Sequence, residues 1–347
     1  MSLSDKEITI YDIAEKLGIS ASTVSRGLKD HPGINKNTKK KILEMARKMG
    51  YRSNSMASNL RQKRSNIIGV IVPRLNSSFT SDVLAGMEKV VNEANYNLII
   101  SQSLESFKKE TASAKAMYHN RVDGLLVSLA YDTENIDHFT PFIARDIPLI
   151  FFDRVFEHER CPSIVIDNQK AAYEATSHLV AEGCKRIVHI AGNQLRNVYQ
   201  QRLAGYKQAL ADNQIAFDKD LVIINELSAT DGIDAANDIM TKLKGVDGVF
   251  AANDVSAIAC MQTLKKQGVS IPGDIAFAGF NNDPAACVIE PNLTTINYKG
   301  FEMGEVAAKL LISHLLNNHD LQLTHTMVLR HELIIRDSSL KKTSKLK

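Results

Sequence analysis

The chain has 347 residues, 44% hydrophobic and 23% charged, proportions that exclude a disordered or collagen-like polymer. No apolar run approaches the roughly 20 residues that span a bilayer, and the polar start Met1-Ser2-Leu3-Ser4-Asp5-Lys6-Glu7 lacks the apolar core of a secretory signal, so a cytoplasmic protein without a membrane partner is expected. The net charge of +3 divides unevenly: residues 1–64 carry 14 Lys+Arg against 6 Asp+Glu, residues 65–337 carry 24 against 33, and the last ten residues add four lysines. A small basic head on an acidic body points to a polyanion-binding module joined to something else, with a merely solvated lysine-rich surface as the plainer alternative.

Residues 8–50 read as three short helices. Ile10, Ile13, Ala14 and Leu17 share one face. Gly18 suits the left-handed position that ends a helix, and Ser20 can cap a second helix with Val24 and Leu28 on its inner side. Asn35 or Asn37 can cap the third, with Ile42, Met45, Ala46 and Met49 inward and Gly50 closing it. Two helices around a tight glycine-containing turn form a helix-turn-helix, in which Ala14 is small enough for the crossing and Ile19 plugs the turn. Residues 53–65 are polar and basic and read as a linker, although Met56, Ala57 and Leu60 lie at helical spacing and suit a helix that folds on binding.

From Asn66 the pattern alternates. Apolar strands are expected at Ile67–Val72, Leu98–Ile100, Gly124–Val127, Leu149–Phe152, Ile164–Ile166, Ile187–Ile190, Val222–Ile224, Gly248–Ala251 and Ile275–Ala278, most of them separated by helical segments such as Thr80–Asn95. Near-continuous apolar strands between helices argue for parallel sheets, and this many strands divide better into two sheets than one.

The motifs that start an enzyme reading are missing. The first strand leads into Pro73-Arg74-Leu75-Asn76-Ser77-Ser78-Phe79 rather than G-x-G-x-x-G, and neither a P-loop, H-E-x-x-H nor G-x-S-x-G occurs. The histidines, among them His138, His158, His178 and His189, make no metal-ligand pair, and Cys161, Cys184, Cys260 and Cys287 lie too far apart for a zinc motif; no metal or cofactor is expected and the cysteines read as buried free thiols. What the strand ends do carry is hydrogen-bonding groups: Asn76 and Phe79, Asp153-Arg154, Asp167-Asn168, Arg196 and Arg202, Asn253-Asp254, and Asn281-Asn282. In open α/β sheets ligands bind beyond the carboxyl ends of the strands, and such a ring with one aromatic suits a small polar ligand. Asp254 and Asn168 read equally well as helix N-caps.

The run Thr9-Ile10-Tyr11-Asp12-Ile13-Ala14-Glu15-Lys16-Leu17-Gly18-Ile19-Ser20-Ala21-Ser22-Thr23-Val24-Ser25-Arg26 resembles the N-terminal signature of the LacI family of bacterial transcriptional regulators. The likeness continues through Thr38, Gly50-Tyr51, Asn54, Ala57 and Leu60. It resumes at Gly248–Asp254, Ile271–Ile275, Gly279–Asn282 and Pro291–Thr295. The resemblance implies an all-α helix-turn-helix head (residues 1–52), a hinge (53–65) and an α/β effector domain of two parallel-sheet lobes, periplasmic-binding-protein-like (66–337). The first lobe is expected at about 66–164 and 296–324, the second at about 165–295 and 325–337, and a basic, disordered tail at 338–347.

The same resemblance puts the second helix in the DNA major groove, with Ala21, Ser22 and Arg26 reading bases. Tyr11, Ser20, Ser25, Lys29, Asn35 and Thr38 then contact phosphates. Asn54, Ala57 and Leu60 would form a hinge helix, with Leu60 wedged into the minor groove or packed on its own chain. Ser53 and Ser58 depart from the Pro and Arg common there. The effector positions implied are Asn76, Phe79, Asp153, Arg154, Arg196, Arg202, Asn253 and Asn281. Ser77-Ser78 stand where Pro-Phe is common, and Asn281 replaces a frequent Asp; with Arg196 and Arg202, that neutral amide suggests tolerance of an anionic ligand. The expected protein is therefore a homodimeric regulator, in the repressor sense, of a pseudo-palindromic double-stranded operator, controlled by a small sugar-like effector. A solute-binding protein without DNA-binding activity is the alternative, and an enzyme using Asp153 with Asp167 ranks third.

Overall fold

The computed structural model describes residues 8–51, 64–317, 320–321 and 325–341. Asn54, Ala57 and Leu60 of the expected hinge helix lie outside the described residues. The chain divides into two compact units, residues up to Ser65 and residues from Asn66 onward.

In the first unit, Thr9 and Asp12 cap each other reciprocally at the start of α1 (Ile10–Leu17), the Thr9 N–H donating to the Asp12 carboxylate at 2.7 Å. Gly18, at φ 66°, ends that helix in the left-handed region. The turn then delivers Ser20, whose hydroxyl accepts from the Thr23 N–H at 3.1 Å and opens α2 (Ala21–Leu28). Asn35, not Asn37, caps α3 (Lys36–Met49): its side-chain oxygen accepts from the Asn37 N–H at 2.8 Å. Ile13, Ala14, Val24, Ile42 and Ala46 form the core, with Leu17, Ile19, Leu28, Met45 and Met49 packed around it. Gly27 is buried against Ile42, and a Cβ there would collide with that side chain.

The second unit contains two six-stranded sheets. The first is built from β1 (Ile67–Val72), β2 (Asn97–Gln102), β3 (Gly124–Val127), β4 (Leu149–Phe152), β5 (Ser163–Ile166) and β11 (Thr326–Leu329), in the order β11-β5-β4-β3-β1-β2, all parallel. The second is built from β6 (Ile187–Ala191), β7 (Val222–Ile224), β8 (Gly248–Ala251), β9 (Ala276–Asn281), β10 (Thr294–Asn297) and β12 (Glu332–Ile334), in the order β12-β10-β9-β8-β6-β7, with β12 alone antiparallel. Helices α4 (Ser78–Glu93), α5 (Phe107–His119) and the short α6 (Thr140–Ile143) belong to the first lobe, α7 (Asn168–Ala181), α8 (Asn197–Asp212), α9 (Ala229–Thr241) and α10 (Asp254–Lys266) to the second, and α11 (Gly300–Leu315) returns to pack on α4. Strands such as Gly124–Val127, Leu149–Phe152 and Gly248–Ala251 are buried along their whole length, as a sheet covered on both faces requires.

The chain passes between lobes three times: after β5, after β10 and after β11. All three expected boundaries therefore shift. A break at 164/165 or 295/296 falls inside β5 or β10, and a hydrogen-bonded strand belongs to one sheet along its whole length. Residues 326–329, expected in the second lobe, extend the first sheet beside β5. The expected disordered tail also begins too early. Ser338 and Ser339 are fully buried in the second lobe; the Ser338 hydroxyl donates to the Phe277 carbonyl and accepts from the Thr294 N–H, each at 2.8 Å. Of the cysteines, Cys161, Cys184 and Cys260 are buried, but Cys287 is exposed.

Candidate nucleic-acid interface and ligand cavity

The face of α2 opposite its buried Val24 and Gly27 carries Ser22, Ser25 and Arg26, and Lys29, the C-cap, continues it. Steps of 100° per residue place these four within about a third of the helix circumference. Ser22, Arg26 and Lys29 are exposed, Ser25 and Ala21 half-buried. Ser20 and Ser22 share a hydrogen bond at 2.9 Å, and Ser20 meets the Thr23 hydroxyl at 2.8 Å, so the N-terminal turn of α2 presents an ordered row of hydroxyls. Tyr11 is 70% exposed, Asn35 is exposed with its amide nitrogen left over from capping, and Thr38 is half-buried. A helix that buries only one stripe and shows small polar side chains plus an arginine on the other is shaped to enter a groove and donate to base edges.

A cavity of about 310 Å³ lies between the two lobes, at the carboxyl ends of both sets of strands. Asn76, Phe79, Asp153, Arg154, Arg202, Asn253 and Asn281 line it, as expected from the sequence; Arg196 does not. Arg196 precedes α8 and is 5% exposed, its guanidinium donating to the Thr133 carbonyl of the other lobe. The pair of arginines expected to receive an anion is therefore not assembled. Asp167 caps α7, its carboxylate accepting from the Lys170 N–H at 2.9 Å, and lies outside the lining. The acid/base pair with Asp153 is likewise not formed.

Each lining group has a local cause. Arg202 is on α8, where its Nε donates to Asn168 Oδ1 at 2.9 Å and Nη1 to the Ala252 carbonyl at 2.7 Å, with Phe280 below at 3.6 Å from the ring centroid. Burial pulls its pKa below the usual arginine value, and Tyr199, Asp153 and Tyr298 oppose that. Arg154, after β4, donates to Glu105 Oε2 at 2.7 Å and to the Tyr199 hydroxyl at 3.0 Å, and lies over Tyr131 at 4.3 Å. Asp153 holds a left-handed backbone (φ 58°) and accepts from the Tyr298 hydroxyl at 2.9 Å. Burial raises its carboxyl above the ordinary aspartate range against the pull of Arg154 and Arg202. Asn253 is the cap of α10, with Oδ1 accepting from the Ser256 N–H at 2.9 Å. The capping expected of Asp254 and Asn168 thus falls one residue earlier in each case. Asp254 is instead fully buried between Thr295 and Asp283, and Asn168 holds Arg202.

The sequence reading named one aromatic in this ring, but Tyr131, Tyr199 and Tyr298 line the cavity as well, and Phe79 stacks on Tyr298 with centroids 4.3 Å apart. Tyr199 was legible as the residue one helical turn before Arg202, and Tyr298 as the residue that follows β10 directly. Glu105, Ser128, Glu226 and Asp283 were also missed. Three cations and four carboxylates around the cavity, counting Arg74, Arg154 and Arg202 against Glu105, Asp153, Glu226 and Asp283, leave no net positive field for an anion. Aromatic faces with amide, hydroxyl and carboxylate edges suit a polyhydroxylated ligand. Among the described residues there is no group of three or more metal-ligating side chains and no helix long and apolar enough to cross a membrane.

Residues 9–54 match the model of the bacterial regulatory proteins of the lacI family, and residues 176–339 match the periplasmic binding protein-like domain. The chain is 34% identical over 323 residues to the HTH-type transcriptional regulator RegA of Clostridium acetobutylicum, covering 91% of this chain and 95% of that one. It is 26% identical over 323 residues to catabolite control protein A of Priestia megaterium, covering 92% and 97%. Among solved structures, the lac repressor dimer bound to operator and the anti-inducer ONPF superposes with a TM-score of 0.84 at 23% identity, covering 96% of this chain and all of that one, a likeness of fold.

Proposed function

The chain belongs to the LacI family of bacterial regulatory proteins, and from that premise we propose that it is a ligand-controlled transcriptional repressor in which α2 reads an operator and the interlobe cavity binds a small polyhydroxylated effector. The observation that carries the proposal is the exposed face of α2, built from Ser22, Ser25, Arg26 and Lys29 over a buried Val24 and Gly27. Arg26 supplies a bidentate donor for a guanine edge, Ser22 a hydroxyl that suits either kind of base pair, and Ala21 an apolar contact for a thymine methyl. Tyr11, Ser20, Ser25, Lys29, Asn35 and Thr38 fix orientation through phosphates. One short helix reads few bases, so the protein acts as a homodimer on two half-sites. Asn54, Ala57 and Leu60 stand where the family's hinge contacts the operator.

In the cavity, Arg202 has two nitrogens engaged and Nη2 left for a ligand among the described residues, Asn281 offers a side chain with no hydrogen bond of its own, and Phe79 offers a ring face. An effector bridging Asp153 and Arg154 on one lobe to Arg202, Asn253 and Asn281 on the other changes the relative free energy of lobe arrangements, which is the requirement for a switch. The test is selection of bound duplexes from random-sequence DNA, followed by gel shifts of the selected duplex with and without sugar mixtures. Recovery of a two-fold-symmetric site whose binding responds to a sugar is expected. Retention of ligand binding with no duplex selected would favour the solute-binding reading.

A further inference from the structure

Asp283 lines the cavity, is 9% exposed, and its carboxylate accepts no hydrogen bond from any described residue. Its backbone N–H, in contrast, is fixed: it donates to Asp254 Oδ2 at 2.8 Å, and Asp254 in turn is held by the Thr295 hydroxyl at 2.7 Å. The two preceding residues, Asn281 and Asn282, both have positive φ (112° and 57°), and Arg336 Nη2 holds Asn282 Oδ1 at 2.7 Å. The segment is therefore clamped from behind while the carboxyl at its end is left unpaired on the cavity wall. Proteins pair the carboxylates they bury, because an unpaired buried charge is costly. The charged neighbour that acts on Asp283 is another carboxylate, Asp82 of α4 in the opposite lobe, and together with burial it pushes the Asp283 carboxyl up to about 6. Elsewhere in the cavity wall the carboxylates have partners: Glu105 pairs with Arg154, Glu226 with Arg74, and Asp153 accepts from the Tyr298 hydroxyl.

We propose that the missing partner of Asp283 is a cationic amino group on the effector, so that the site selects an amino sugar over the parent sugar and over the corresponding acid. This rests on the reading of the cavity as the effector site. The ammonium donates to Asp283 and draws Asp82 towards it from the other lobe, while the hydroxyls of the same molecule use Arg202, Asn253 and Asn281.

The experiment is a thermal-shift screen of the full chain against matched sets of aldoses, each as the neutral sugar, the 2-amino sugar and the uronic acid or 6-phosphate, followed by calorimetry on whatever stabilises it. The amino member is expected to bind at least about 10-fold more tightly than its neutral parent, and D283N is expected to remove that advantage, a loss of about 10- to 100-fold. A wild-type far-UV circular dichroism spectrum and a cooperative thermal melt report that D283N folds, and D283E, which keeps the charge, is expected to restore part of the preference. Tightest binding by an acid or phosphate, or an equal preference in wild type and D283N, overturns the inference and leaves the effector site standing. If no member of the panel stabilises the protein, the sugar reading of the cavity fails, and the inference with it.

Discussion

Arg154 of the first lobe donates to the Tyr199 hydroxyl of the second at 3.0 Å, and the Tyr131 hydroxyl meets that same oxygen at 3.2 Å from the first lobe. One phenolic oxygen thus joins two elements of one lobe to a helix of the other. Tyr199→Phe removes the acceptor of Arg154, which keeps Glu105, and leaves a buried donor unmatched. A loss of about 1–2 kcal/mol is expected, read as a lower urea midpoint; an unchanged midpoint would show that this contact contributes nothing.

Arg26→Ala is expected to lower affinity for the selected operator about 10- to 100-fold while changing binding to a scrambled duplex far less, because a base-reading group carries discrimination. Lys29→Ala is expected to weaken both duplexes alike and to reduce the slope of log affinity against log salt by about one. Fluorescence anisotropy at several salt concentrations separates the two patterns, and equal losses on both duplexes for Arg26→Ala would assign it to the backbone.

Arg202→Lys keeps a positive charge but loses the planar fork that reaches Asn168 and the Ala252 carbonyl together. Effector affinity is expected to fall at least about 10-fold while operator binding persists, giving a protein that represses and does not respond. A variant whose operator binding still responds at wild-type effector concentration would place the ligand elsewhere.

Burial pushes the Asp254 carboxyl up to about 7 in the folded chain, from 3.8 as its ordinary value. The folded state therefore keeps a proton that the unfolded chain has released, and the stability tied to it is full below about pH 4 and is lost as pH rises through about 7. Asp254→Asn is expected to flatten that part of the pH dependence, seen as a difference between the two melting-temperature profiles that changes from pH 4 to 8. Parallel profiles would contradict the buried proton.

The parts of this protein that were legible beforehand are those set by local pattern. Gly18 and Ser20 mark the turn and cap of the head because each acts on its own backbone, and the apolar runs from Ile67 to Ala251 announce strands because a sheet covered on both faces needs nothing polar. The missed strands, Thr294–Asn297, Thr326–Leu329 and Glu332–Ile334, have three or four residues each: the first has one isoleucine among polar residues, and the other two hold apolar runs of only two or three residues in a polar stretch, β11 being largely exposed at a sheet edge. In the cavity, Arg202 and Phe79 were visible from their places after strands. Arg196 was not separable from them, since only the direction of its side chain, across to Thr133, removes it from the lining. Tyr131 and Asp283 were equally hidden, because their roles depend on which lobe faces them.

Both sheets are finished by the end of the chain. β11 supplies an edge of the first and β12 an edge of the second, and Ser338 and Ser339 seal the second lobe from behind. During synthesis, then, the ribosome must deliver residues 326–329 before the first lobe has all its strands and residues 332–334 before the second does. Until that moment β5 and β10 present open edges, the kind of surface that nascent chains expose to one another and to chaperones. A messenger truncated shortly before that point would yield a head able to fold, tethered to two lobes that cannot close their sheets.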